Sequence, residues 1–252
     1  MINILYILYD EIWDGIKLSP RPYQMARRQA ASDATRQRIL AAAHKLLAAE
    51  KFSDFTMEAV AREADVSRLT VYYQFNSKAG LLEALYDHTA KRGHLERLAE
   101  VFRSGNDPVR TLHDFIAVFT GFWASDRELI RRLHALAAID PEIAPGLLAR
   151  NERRRHGLKV IVERYSRIYL PLTPSQEPVV IDTLHMLTSF ETFDALAKDG
   201  TAFRAAEHQA EHQEVVEIIR KLADHAIGFR SRFVPPSDPP SERKALTKRR
   251  HH

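Results

Sequence analysis

Apolar residues recur every three to four positions along almost all of the chain between Asp33 and Phe233, and no segment alternates as a half-buried strand would. The pattern predicts an all-α protein. Ile39, Leu40, Ala43 and Leu47 share one face of a first helix expected to start after Ser32 or Asp33. Thr56 and Ser67 are cap-type residues eleven positions apart, each heading a short helix. Phe55 and Val66 stand just before those caps, spaced to staple onto Val60 and Val71. Ala64-Asp65-Val66 joins the two helices as a tight turn. A fourth helix is expected from Ser77 through Leu81, Leu82 and Leu85.

Longer helices follow. Leu112, Phe115, Ile116, Phe119 and Trp123 form one stripe, and Ser125 with Glu128 reads as a capping box ahead of Leu129, Leu133 and Leu136. Leu158, Ile161, Val162, Tyr165 and Ile168 form another stripe before Pro171. One long helix is expected from Pro178 to Lys198, closed by Gly200. The last carries Val215, Ile219, Leu222, Ala226, Phe229 and Phe233, a heptad seam suited to a partner helix. Four prolines between Pro235 and Pro240 end the pattern, and the basic tail beyond is expected to be disordered. Upstream, Ile2, Leu5, Tyr6, Tyr9, Trp13 and Ile16 can share a helix face. That segment reads as a docking or membrane-surface helix with an acidic polar side, or as an extension ahead of a start at Met25.

Composition narrows the class. The 252 residues include no cysteine and only nine glycines, which argues against disulfide-stapled, thiolate-metal and collagen-like proteins. No apolar run approaches the roughly 18 residues of a membrane span, and the amino terminus lacks a basic n-region and cleavage site. A cytoplasmic protein with no membrane partner is expected. The net charge of +4 is uneven: residues 25–80 hold nine basic and six acidic side chains, whereas residues 81–233 hold 21 and 22. A basic head on a neutral body fits a nucleic-acid-binding head.

The two capped short helices describe a helix-turn-helix, whose second helix enters the major groove. With Val71 turned inward, Arg68, Thr70, Tyr72, Tyr73 and Gln74 remain for the groove. Arg68 is the best base reader, because its planar fork can grip guanine O6 and N7 together. Lys78 and the exposed amides at the start of the next helix can hold a phosphate oxygen. Arg21, Arg27 and Arg28 precede the head, either as an arm for the minor groove or as a solvated leader.

The run from Thr56 to Lys78, followed by Leu81-Leu82, resembles the amino-terminal domain of the TetR family of transcriptional regulators. The resemblance covers Thr35 to Leu85. It implies an all-helical homodimer: a three-helix DNA-binding domain in each subunit, here residues 31–80 after an extension at 1–30, and a larger helical ligand-binding and dimerisation domain at 81–233, before the tail at 234–252. It further implies a repressor on a palindromic operator of double-stranded DNA, released by a small-molecule effector of apolar or amphipathic character, with dimerisation through the last two long helices. Position by position, Thr56, Ser67, Arg68, Thr70, Tyr72, Tyr73, Gln74 and Lys78 match DNA-touching places, Tyr72 and Lys78 at phosphates. Three positions depart from the pattern: Lys51 stands for a helix-ending glycine, Asp65 for the turn glycine, and Gln74 for a common histidine.

Other constellations weigh less. His208-Gln-Ala-Glu211-His212 matches the H-x-x-E-H pattern of zinc peptidases and keeps a metal-dependent hydrolase open as the alternative. It sits in a polar near-repeat, with no third ligand identifiable, and no catalytic residue, metal or cofactor is expected. Arg150, Arg153, Arg154 and Arg155 read as a solvated helix face rather than a second nucleic-acid contact. Phe119, Trp123, His134, Tyr165, Met186 and Phe190 are candidates to line an effector cavity, with ordinary core as the competing reading. No phosphate loop, nucleophile elbow or carboxylate pair stands out, which favours a binding protein over an enzyme.

Overall fold

The computed structural model describes residues 21–48, 55–104, 107–169, 171–197 and 205–228, with side chains from Met25 on and, in the last helix, from His212 on. Among these residues the regular elements are all helical. They form two compact units: residues up to Thr89 with Glu128–Gly146, and Ala90–Arg127 with the residues from Leu147 on.

The first unit opens with α1 (Arg21–Ala48). This helix begins well before Ser32, where the cap signal had placed its start. Pro22 suits a first helical turn, and the run from Gln24 to Ala31 consists of strong helix formers. Neither expected cap residue is free to cap. Asp33 accepts from Gln29 Nε2 at 3.0 Å, and Ser32 Oγ accepts from Gln74 Nε2 at 3.0 Å. Arg27 and Arg28 therefore ride on a regular helix, not on an extended arm.

Next come α2 (Met57–Glu63), α3 (Arg68–Phe75) and α4 (Lys78–Arg92). Each start is capped by the hydroxyl that the sequence marks. Thr56 Oγ1 accepts from Ala59 N at 3.1 Å, Ser67 Oγ from Thr70 N at 3.1 Å, and Ser77 Oγ from Gly80 N at 3.0 Å. Such caps contribute about 1 kcal/mol apiece. Ile39, Leu47, Val60, Val71, Leu81 and Leu85 are fully buried, each stabilising the fold by roughly 1.5–3 kcal/mol. The unit is completed by most of α7 (Arg127–Ile139), whose Leu129 and Ile130 are fully buried. Arg132 of α7 donates to the Leu47 carbonyl near the end of α1.

The second unit is built from a 3-10 turn (Leu95–Arg97), α5 (Leu98–Ser104), α6 (Pro108–Ser125), α8 (Ala144–Ile168), α9 (Gln176–Leu187), α10 (Phe190–Leu196) and α11 (Ala205–Ile227). The apolar helix α6 packs against α5, α10 and α11. Its Leu112, Phe115, Ile116, Phe119 and Trp123 are buried, as the stripe predicts, and Phe122 is buried with them.

Three expectations change here. Ser125 and Glu128 form no capping box: the α6 ladder continues through Ser125, whose hydroxyl donates to the Phe122 carbonyl at 2.8 Å. Glu128 instead pairs with Arg131 and Arg132 at 2.8 and 2.7 Å. The single helix expected over 178–198 is two. Thr188 closes α9, and Ser189 caps α10 by accepting from Thr192 N at 3.1 Å. The buried stripe of α11 runs Val215, Val216, Ile219, Ala223 and Ile227, leaving Leu222 exposed. The predicted seam is thus rotated, because Val216, Ala223 and Ile227 turn inward beside Val215 and Ile219. Residues 1–20, Lys51, Gly200, Phe229, Phe233 and the 234–252 tail lie outside the described residues.

Candidate nucleic-acid interface

The geometry of α2 and α3 follows from one turn. Asp65 adopts a positive φ of 52°, the conformation that Asp tolerates better than most side chains. Val66 N then donates to the Ala61 carbonyl at 3.0 Å, and α3 starts afresh at Ser67. Val71 and Phe75 face inward, which turns the opposite side of α3 to solvent. At its far end, Gly80 lets α4 start close against α3, since a Cβ there would lie 2.2 Å from the Phe75 carbonyl oxygen.

Of the sequence-predicted contacts, Thr56, Ser67, Arg68 and Tyr73 are exposed, and Thr70 and Tyr72 are half-buried. Thr56 and Ser67 use their hydroxyls as caps, and Ser67 shares a hydrogen bond of 2.8 Å with Thr70. Arg68 leans along the helix: Nη2 donates to the Tyr72 hydroxyl at 3.4 Å, and the guanidinium lies 5.3 Å from that ring's centre. Nη1 meets Glu58 of α2 at 2.7 Å. The Tyr72 hydrogen bond and then the Glu58 charge hold its pKa above the ordinary arginine value. Lys78 opens α4, with Nζ 3.7 Å from Asp140 Oδ2.

Gln74 is tied to α1. It is half-buried, its amide donates to Ser32, and its carbonyl accepts from Arg36 Nη1 at 2.9 Å. Arg36 also lies 4.3 Å over the Phe75 ring, a brace from α1 that the sequence reading missed. Leu69 was missed as well. It is 78% exposed, one turn before Tyr73 at 82%. Helical spacing from Tyr73, four positions on, puts it on the same outer face.

The predicted effector residues differ in burial. Phe119, Trp123 and Phe190 are buried together, with ring centres 5.8 Å (Phe119–Trp123) and 5.7 Å (Trp123–Phe190) apart. Tyr165 is buried, its ring 5.3 Å from that of Tyr169. Met186 is 58% exposed on α9, because Leu184 and Leu187 take the inward positions, and His134 belongs to the first unit. The second unit carries a groove of about 660 Å³, lined by Phe102 of α5 and by Glu152, Arg153, His156, Gly157 and Val160 of α8.

The arginine run is not uniformly solvated. Arg154 is 4% exposed and donates to the His185 carbonyl, to Thr188 Oγ1 at 2.8 Å and to Asn151 Oδ1 at 3.3 Å. One face of α8 is interior there, and helical rotation brings only Arg154 into it. Trp123 Nε1 donates to the Thr188 carbonyl at 3.1 Å, so the break between α9 and α10 is held from two sides. In the H-x-x-E-H stretch, the side chains of His208 and Glu211 lie outside the described residues. His212 is half-buried, its ring hydrogen-bonded to the Thr120 backbone, and burial lowers its pKa. Among the described residues, no three His, Asp or Glu side chains gather to hold a metal ion. No described helix is long and apolar enough to cross a membrane.

Residues 39–85 match the family described as bacterial regulatory proteins, tetR family. The HTH-type transcriptional regulator SrpR of Pseudomonas putida is 45% identical over 62 residues, 24% of this chain and 29% of that protein. The HTH-type transcriptional regulator EthR of Mycolicibacterium smegmatis is 32% identical over 107 residues, 42% of this chain and 48% of that one. The chain thus matches less than half the length of these curated relatives. Native NalD, the secondary repressor of the MexAB-OprM multidrug efflux pump in Pseudomonas aeruginosa, superposes with a TM-score of 0.56 at 23% identity, over 76% of this chain and 96% of that one. That likeness is one of fold.

Proposed function

We propose that this chain, whose residues 39–85 match the tetR family of bacterial regulatory proteins, is a DNA-binding transcriptional regulator acting as a homodimeric, ligand-responsive repressor. The observation that carries this reading is the α2–α3 unit. Its turn and caps are satisfied internally, while Arg68, Tyr73 and the start of α4 are left to face a duplex. Arg68 reads base edges, and Lys78 neutralises a phosphate. A two-fold dimer places two such helices on dyad-related half-sites, so the operator is palindromic, with centres about one helical turn or a multiple apart.

Val179 and Met186 of α9, seven residues apart, and Leu222 of α11 are exposed apolar side chains that support dimerisation through these helices. The effector occupies the second unit. Its groove mixes Phe102 and Val160 with Glu152, Arg153 and His156, which suits an amphipathic molecule. An effector that weakens operator binding is itself bound more weakly by the operator complex, by the same factor.

The test is retention of fragmented genomic DNA from the source organism on the purified protein, followed by sequencing. A single enriched palindrome is the expected result, and the genes beside it nominate effectors for release assays. A folded protein that enriches no sequence at low salt would overturn the assignment.

A further inference from the structure

We infer that Leu69 reads thymine in the operator by packing its side chain against the C5 methyl group, an assignment that rests on the DNA-binding role proposed above. Leu69 is the second residue of α3, and the amino-terminal residues of a reading helix are those that meet base edges. It is 78% exposed although the interior stripe of α3 is already complete with Val71 and Phe75. Its polar neighbours rest along the protein surface, beside Leu69 and not over it. Arg68 is drawn toward Glu58 and Tyr72, and the Thr70 hydroxyl is shared with Ser67.

What stands clear of the surface is thus an aliphatic side chain, next to the Tyr73 ring one turn on. An aliphatic side chain can bind neither a phosphate nor a hydrogen-bonding base edge. The apolar feature of the major-groove edges is the thymine methyl. Tyr73 keeps a hydroxyl for polar partners, so the methyl contact falls to Leu69.

The experiment uses the full chain and the enriched operator, replacing each thymine of both half-sites in turn by uracil, which lacks only the methyl. Dissociation constants are measured at one fixed salt concentration. One position per half-site is expected to lose about fourfold in affinity, which corresponds to burial of one methyl group (about 0.8 kcal/mol) at 1.4 kcal/mol per tenfold. Leu69→Ala should bind thymine and uracil alike at that position, keep the salt dependence of the parent and keep its circular dichroism spectrum. Leu69→Met should restore the preference for thymine.

Uracil tolerated everywhere, or a uracil penalty that persists in Leu69→Ala, would overturn the role of Leu69 while leaving a DNA-binding regulator. Absence of any enriched operator would overturn both.

Discussion

Arg68 and Lys78 share a circumstance: each cation proposed to meet DNA already faces a carboxylate, Glu58 at 2.7 Å and Asp140 at 3.7 Å. Both pairs are solvent-accessible and are worth little to stability. In the proposed complex, phosphates or bases would have to displace these carboxylates. Lys78→Ala should weaken binding to all sequences and flatten the slope of log affinity against log salt by about one to two units per dimer. An unchanged slope would remove Lys78 from the phosphate contacts. Arg68→Ala should cost about ten- to a hundredfold per half-site and relax the preference at one base pair, as a bidentate guanine contact requires. Selection of bound sequences by the variant checks this, and an unaltered consensus would assign the reading to another residue.

Within single elements, helical rotation separates residues that composition treats alike. Arg153 and Arg154 are neighbours in one basic run, yet Arg153 is exposed and Arg154 is buried against the α9–α10 break. Arg154→Leu should lower stability by roughly 2–4 kcal/mol, because charge-assisted hydrogen bonds are lost and the His185 carbonyl is left buried. Arg153→Leu should change it by less than about 0.5 kcal/mol. Urea unfolding of the two variants measures the contrast, and equal effects would show that Arg154 does not hold the break.

His185 lies on the same junction. Burial first, and then the Arg154 charge, keep its pKa below the ordinary histidine value. The unfolded chain therefore takes up the proton before the folded one as pH falls. Stability is full above about pH 6.5, the unperturbed value, and declines below it. His185→Gln should flatten that decline below about pH 6.5 in thermal unfolding; a curve parallel to the parent would show that His185 does not contribute.

For the whole molecule, the question is where the chain leaves apolar surface uncovered. In the second unit Val179, Met186 and Leu222 are exposed, while the interior faces of α9 and α11 are filled by Val180, Leu184, Val215 and Ile219. Replacing Val179 and Met186 together with aspartate should give a folded monomer with greatly reduced operator affinity. Sedimentation equilibrium reads the mass, and a dimer that survives both charges would move the interface off α9.

Much of this is legible in the amino-acid sequence. The caps at Thr56, Ser67 and Ser77 act through hydrogen bonds spanning three residues, and the inward stripes of α2, α3 and α6 follow the 3.6-residue period. Local chemistry is enough for such features, so the all-helical class and the helix-turn-helix followed directly. Long-range contacts decided the rest. Ser32 lost its cap role to Gln74, 42 residues away, and the same bond ties the Gln74 side chain to α1. Thr188 ended α9 where Arg154 and Trp123, 34 and 65 residues distant, hold it. The seam of α11 turned because its neighbours took Val216, Ala223 and Ile227 into the interior. A helix's period tells which residues share a face; which face is buried, and where a helix breaks, depends on partners that only the folded chain brings within reach.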